Sequence, residues 1–503
     1  MMQTFEETDI RKDEYEMREL RVNTKYGALK GRNINGAAVW KGIPYAKPPV
    51  NELRFEAPEP PDSWEGVKEA DQFGPECIQP RTEGGLFQTP GYEPVESEDC
   101  LYLNVWAPEQ VAEQKLPVMV WIHGGAFVSG SGSTSFYDAT KFVKRGEIIV
   151  VTLNYRLGPF GFMHLSPLGE SFISNAGLLD QIAALEWVKE NIDGFGGDPG
   201  AVTVFGESAG SMSIAALMAM PKAKGLFKQA IMQSGASQLI PAEQAAQVTA
   251  GMLQMLRIGS DEVHKLRTLP AEQILAAGER FKQQTGAGLA MLFQPVVDQS
   301  TLPKSPVQAV KDGDASDVRL LIGTNLDEGA LFIRPETDIM NDGDIVRAME
   351  MMTGVSDGHD IVSQYPKTTD GQAQLMTDLF FWRSSVQFAA AQSKYAPVFM
   401  YRFDWTLEGH PLLNKAIHAG EIAFVFHNLQ FFKPLGINPS DSMQQLASSM
   451  QDAWIAFAKG EDPVPAGHHW PPYSIDLRAT MIFNTDLEVI QDPDQEKRIR
   501  LGL

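Results

Sequence analysis

Three residues in a five-residue window define the chemistry open to this chain. Gly206, Ser208 and Gly210 stand in the order Gly-Glu-Ser-Ala-Gly. Before them, Val202, Thr203, Val204 and Phe205 are β-branched or aromatic and read as a short strand. After them, the small and apolar residues up to Met220 read as a helix. A G-x-S-x-G turn between strand and helix is very sharp, so a side chain two places either side of the serine would strike neighbouring backbone. The turn lifts the Ser208 hydroxyl into a site above a helix N-terminus, whose positive end favours an oxyanion. Three fixed positions in five make a weak pattern, and a plain strand–helix turn is the bland alternative. The flanking strand and helix are what favour a nucleophile.

A serine hydroxyl is a poor nucleophile by itself. It needs a base, and the base needs an acid to orient it. After a turn of this kind the acid comes next in the chain and the histidine last. The segment VRLLIGTNLDEGALF places Asp327 and Glu328 just past a candidate strand. Downstream of Ser208 the histidines are His264, His359, His410, His418, His427, His468 and His469. Spacing does not choose between the two carboxylates, nor among the histidines beyond them. Acyl transfer also builds negative charge on a carbonyl oxygen, which backbone N–H groups must meet. In VMVWIHGGAFVSGS, an apolar strand leads into Gly124, Gly125 and Ala126, a run of small residues suited to that task.

The elements that must hold these residues can be read in outline. Residues 21–58 carry turn signals between short extended runs, as expected of antiparallel hairpins entering a larger sheet. Strands are expected at Leu101–Trp106, Leu116–His123, Ile148–Tyr155, Lys228–Gln233, Arg319–Ile322 and Val398–Trp405, with a last one over Thr480–Ile490. Leu116–His123 is almost continuously apolar, the mark of a strand buried on both faces. Helical periodicity covers Ala176–Ile192 and Ser440–Gly460, and helix-rich stretches fill 241–281 and much of 336–395. Such alternation predicts an α/β fold with a large, mostly parallel central sheet flanked by helices. Residues 1–20 read as a charged extension, and 21–503 as a single domain.

Composition narrows the function classes. The chain has 503 residues and a formal net charge of −22. That charge disfavours nucleic acid, since phosphate contacts need clustered Lys and Arg. It also opposes binding to anionic lipid, and no stretch approaches a membrane span in apolar length. The only two cysteines, Cys77 and Cys100, cannot build a metal cluster. The opening residues are acidic and lack an apolar run, so they are not read as a signal peptide. A cytoplasmic bacterial protein is expected, monomeric, with a dimer as the alternative, and without metal or organic cofactor.

Taken together, GIPYAKPP, SEDCLYLNVW, WIHGGAF, NYRLGPFGF, VTVFGESAGS, IMQSGA, GTNLDEG and IHAGEIAFVF resemble the motifs of the type B carboxylesterases, the cholinesterase-like branch of the α/β hydrolases. They are co-linear over about residues 22–490. The likeness is strongest to bacterial p-nitrobenzyl esterase-like enzymes. The resemblance implies an α/β-hydrolase fold with helical excursions over the active site. It also implies two-step hydrolysis of carboxylic esters, short-chain or aromatic, through an acyl-enzyme. Carried over residue by residue, it implies Ser208 as nucleophile, Glu328 as acid and His418 as base. Gly125, Ala126 and Ala209 would supply the oxyanion N–H groups. Glu207 and Ser234 would support the site, and Arg54–Glu98 and Arg156–Asp180 would be structural ion pairs.

Two departures limit the carry-over. Choline-binding relatives carry a tryptophan between the positions of Cys77 and Cys100. Here CIQPRTEGGLFQTPGYEPVESEDC has none, so a cation–π anchor for quaternary ammonium is missing from that loop. Secreted relatives join these cysteines, whereas a cytoplasmic chain would be expected to keep them reduced, leaving the loop free to move. Lipase, thioesterase or amidase activity on the same residues is the alternative within enzymes, and a non-catalytic binding protein the alternative outside them. An acid limb at about pH 6 to 7 is expected from an ordinary histidine base.

Overall fold

The computed structural model describes residues 19–80, 94–110, 112–236, 238–286, 292–333, 339–353 and 358–503. Residues 1–18 of the extension expected over 1–20, and the centre of the inter-cysteine loop at 81–93, lie outside the described residues.

Among the described residues an eleven-stranded sheet runs through the molecule. In chain order its strands are β1 (Arg32–Ile34), β2 (Ala37–Pro44), β3 (Tyr102–Pro108), β4 (Leu116–Ile122), β5 (Ile149–Leu153) and β6 (Gly197–Glu207). They continue with β7 (Gln229–Gln233), β8 (Arg319–Asn325), β9 (Val398–Phe403), β10 (Ala479–Phe483) and β11 (Glu488–Gln491). The spatial order is β1-β2-β3-β5-β4-β6-β7-β8-β9-β10-β11. Neighbours from β5 to β10 run parallel, and the pairs at both margins run antiparallel.

The central strands are apolar on both faces because both faces are covered. Val118, Val120 and Ile122 of β4 point into one core, and Met119 and Trp121 into the other. Helices α1 (Ala176–Asn191) and α2 (Ala209–Ala219) cover the first face. All eleven residues of α2 are buried, which is why it is built from small and apolar residues throughout. On the same face, α3 (Ala242–Leu256) and α4 (Ala271–Thr285) form part of the excursion between β7 and β8. Helix α5 (Asp441–Ala458) covers the second face with Met450, Trp454 and Phe457, and Ser440 caps it through a 3.3 Å hydrogen bond from Met443 N.

The order of connections creates the site. From β4 the chain steps outward to β5, then returns through α1 to β6 on the other side of β4. Ligand crevices in parallel sheets open at such a switch point, beyond the carboxyl ends of the strands. Register lines those ends up: Ile122 pairs with Gly206, Glu207 with Gln233, and Gln233 with Gly323. The residues that follow each strand therefore meet along one edge. The expected ion pairs form, with Arg54 Nε 2.7 Å from Glu98 Oε2 and Arg156 Nη2 2.7 Å from Asp180 Oδ1.

Three expectations are corrected. The stretch expected as one late strand is a hairpin: β10 and β11 pair antiparallel, Ala479 opposite Gln491, because Asn484–Asp486 turns the chain between two runs of β-formers. The first hairpin, Arg21–Thr24 with Gly27–Lys30, joins Val67–Glu69 in a separate small sheet, and only the β1–β2 hairpin enters the main one. Cys77 and Cys100 are joined in a disulfide, with Cα atoms 5.0 Å apart, rather than held as thiols. Paired short strands at Glu76–Cys77 and Glu96–Ser97 bring the two ends of that loop together. A thiol reagent applied to the native, unreduced protein should label neither cysteine, and both after reduction. Labelling of both before reduction, read by mass spectrometry, would contradict the bond.

Candidate active site

The turn after β6 is as tight as its sequence implies. Ser208 sits at φ 54°, ψ −121°, a region that costs a side chain about 1–3 kcal/mol. It is held there from both sides: Ser208 N donates to Gln233 O at 2.9 Å, and Met212 N donates to Ser208 O at 2.9 Å. A Cβ on Gly210 would lie 2.0 Å from Ile122 O, and one on Gly206 2.6 Å from the same oxygen. The last carbonyl of β4 is therefore what excludes a side chain from both positions.

Two adjacent carboxylates that were indistinguishable by spacing are separated by the fold. Glu328 opens a short helical turn after β8 and is fully buried. Its Oε1 accepts Asn325 N at 2.8 Å, and its Oε2 lies 2.6 Å from His418 Nδ1. Asp327 points the other way. Its Oδ2 accepts Ala416 N at 3.2 Å, and its own N–H donates to Ala416 O at 3.0 Å. Asp327 thus fastens the segment that carries His418 to the end of β8. Three of the other candidate histidines are engaged elsewhere: His410 accepts the N–H groups of Leu412 and Leu413, His427 faces Gln444, and His468 faces the carbonyls of Ala466 and Leu487.

The ring of His418 is buried beside Phe381 and Phe332, whose centroids lie 4.7 and 5.2 Å away. Phe381 belongs to a π-helical turn, Thr377–Trp382, inside a longer helical run. In the same turn, Thr377 Oγ1 accepts Gly329 N at 2.9 Å, directly beside Glu328. His418 Nε2 faces the elbow, 3.0 Å from Glu207 Oε1. Burial alone would push the imidazole down. The carboxylates of Glu207 and Glu328 outweigh it and raise the pKa well above the ordinary histidine value. The Glu207 carboxyl is itself raised by burial, an effect that the charge of His418 offsets only in part.

The loop after β4 lies against this turn. A Cβ on Gly124 would be 3.1 Å from Ser208 Cβ and 2.7 Å from Glu207 Oε2. Gly125 adopts φ 111° and Ala126 φ 54°. The Gly125 carbonyl accepts Val128 N at 3.0 Å, Ser129 N at 3.0 Å and Ser129 Oγ at 3.2 Å. Ala209 begins α2, where the first backbone N–H groups have no partner within the helix. Ser234 follows β7 at φ 55°, and its N–H donates to Gly323 O at 2.9 Å. It is fully buried, and its Oγ has no partner among the described residues.

One buried acid escaped the sequence reading. Glu421 accepts Gln233 Nε2 at 3.0 Å and Asn325 Nδ2 at 2.7 Å. Burial, with the nearby charges of Glu207 and Glu328, pushes its pKa up to about 7. The available signal was a single carboxylate inside the apolar run of IHAGEIAFVF. Among the described residues no group of three or more His, Cys, Asp or Glu is arranged to hold a metal. Likewise, no helix among them is long and apolar enough to cross a membrane.

A mixed sheet with a parallel centre, a strained serine between strand and helix, and a Glu–His pair at the same edge define an α/β hydrolase. The carboxylesterase family model matches residues 18–501. A para-nitrobenzyl esterase of Bacillus subtilis is 49% identical over 482 residues, covering 95% of this chain and 98% of that protein. Phenmedipham hydrolase of Pseudarthrobacter oxydans is 32% identical, covering 94% and 96%. A solved PNB esterase superposes with a TM-score of 0.90 at 49% identity, over 96% of this chain and all of the other. A Geobacillus stearothermophilus carboxylesterase gives 0.83 at 38% identity, over 96% and 99%. The chain belongs to the carboxylesterase family and is a carboxylic ester hydrolase.

Proposed function

We propose that residues 21–503 act as one esterase domain in which Ser208 is the nucleophile, His418 the general base and Glu328 its orienting acid. The observation that carries this reading is the 2.6 Å contact between Glu328 Oε2 and His418 Nδ1, with Nε2 turned towards the elbow. In the first half-reaction Ser208 Oγ attacks an ester carbonyl as His418 Nε2 takes its proton, exchanging Glu207 for the serine oxygen as it does so. The N–H groups of Gly125, Ala126 and Ala209 receive the oxyanion. His418 then gives the proton to the departing alcohol, and water repeats the cycle to free the acid. Glu207 and Ser234 support the site rather than react.

The substrates proposed are short-chain or aromatic carboxylic esters of the p-nitrophenyl and p-nitrobenzyl type. Phe332 is 40% exposed and stacks on Phe381 with ring planes 9° apart. The pair forms an apolar wall beside His418 on which an aryl group could lie. Action as a cytoplasmic monomer without stable membrane association completes the proposal. The charge of −22 supports it by keeping copies and anionic lipid apart. In a reducing compartment the Cys77–Cys100 bond would have to resist the thiol pool.

Ser208→Ala should lower kcat by a factor of roughly 10⁶ with the fold intact; retention of a tenth of the activity would remove Ser208 from its role. On a panel of p-nitrophenyl esters kcat/KM should fall from short to long acyl chains and be negligible for the matching amide. A preference for long chains at an oil–water interface would indicate a lipase instead. The pH profile should carry the mark of Glu207. His418 must be neutral to accept a proton, and its raised pKa means that acidification removes activity at a higher pH than an ordinary imidazole would. Glu207→Gln takes away one of the charges that raise it, so the acid limb of kcat/KM should move to lower pH by about one unit. An unmoved limb would show that Glu207 carries no charge beside His418 in the free enzyme.

A further inference from the structure

We propose that His123 is a positioning residue for the oxyanion site, holding the peptide whose N–H group is the donor at Gly125. The inference rests on the assignment of Gly125 as an oxyanion donor made above.

The Gly124 carbonyl and the Gly125 N–H belong to the same planar trans unit and point in opposite directions. Whatever fixes the carbonyl aims the N–H. His123 Nδ1 lies 2.8 Å from Gly124 O. A carbonyl oxygen can only accept, so the ring proton is on Nδ1. Burial, only partly offset by this bond, pushes the His123 pKa down to about 4, so the ring is neutral and has one proton to give. The neighbouring donor is held without His123, since Gly125 O is already bonded by Val128 and Ser129.

The surroundings of His123 keep this bond in place. The imidazole stacks on Tyr155, centroids 4.5 Å apart, and Tyr155 Oη donates to His123 O at 2.8 Å. Gly130 backs the bond: a Cβ there would lie 2.5 Å from His123 Nδ1 and 2.4 Å from Gly124 O. Gly130 is fixed in turn by its N–H to Gln79 Oε1 at 2.8 Å. His123 Nε2 is fully buried and has no partner among the described residues. An unpartnered buried acceptor is unfavourable, and an apolar ring would fill the same space without it. Among the described residues the one polar contact of the imidazole is the bond to Gly124 O.

Two amides of similar size separate positioning from packing. Asparagine places its amide nitrogen near the position of Nδ1, whereas glutamine places it near that of Nε2. His123→Gln should lower kcat by about 30-fold with KM within about twofold, less than the 10²–10³ of a deleted donor because the N–H is misaimed rather than removed. The affinity for an aryl trifluoromethyl ketone, which forms an oxyanion on the serine, should fall by the same factor. His123→Asn should recover most of both losses. His123→Phe keeps the stack on Tyr155 without the donor and should behave as the Gln variant does. Equal kcat and ketone affinity in folded Asn, Gln and Phe variants would overturn the proposal. So would a ¹⁵N spectrum of the wild-type protein showing the His123 proton on Nε2, which needs no variant to fold. If the wild-type protein binds the trifluoromethyl ketone no better than the methyl ketone, the oxyanion assignment itself fails, whatever His123 does.

Discussion

The carbonyl of Ile122, the last of β4, is the contact around which the site is built. It sits against both Gly206 and Gly210, where a side chain would come within 2.6 and 2.0 Å of it. That approach follows from the parallel register that sets Ile122 opposite Gly206. It brings two loops of different origin into contact: the oxyanion loop leaving β4 and the serine turn leaving β6. The strain at Ser208 is sustained because the strands on either side leave the turn no room to relax. A shift of one residue between β4 and β6 would separate the nucleophile from the oxyanion loop and put side chains where the chain must bend.

Electrostatics form the second layer. Glu207 and Glu328 are buried on the two sides of the His418 ring, and Glu421 is buried near those two carboxylates. Carboxylates cost free energy in such surroundings unless hydrogen-bonded or paired. Glu328 has Asn325 N and the imidazole; Glu421 has the amides of Gln233 and Asn325. Glu207 has His418 as its ionic neighbour. One imidazole therefore lies between two acids, and what draws it towards the elbow is also what raises its proton affinity.

Legibility of the chain followed burial. Central strands could be read because burial on both faces leaves an almost uninterrupted apolar run, as in β4 and β5. The marginal strands were harder. β11 is half-exposed and mixed in composition, so the turn at Asn484–Asp486 was absorbed into one expected strand. The state of the cysteines was inferred from an expected compartment, whereas the pairing of Glu76–Cys77 with Glu96–Ser97 is what brings them together.

The sequence by itself determined the chemistry of the turn: G-x-S-x-G after a β-branched run demands a sharp bend, and HGGA after a buried strand offers backbone donors. Both are local, because strain and the absence of Cβ atoms are properties of a few consecutive residues. Choosing Glu328 over Asp327, or His418 over the other histidines, needed a family resemblance, since spacing along the chain carries no direction. Only the tertiary structure decided where those side chains point. Glu328 turns towards the imidazole and Asp327 towards the backbone of Ala416. The packing of β8 against the segment around Ile417 makes that choice, through residues about ninety positions apart in the chain.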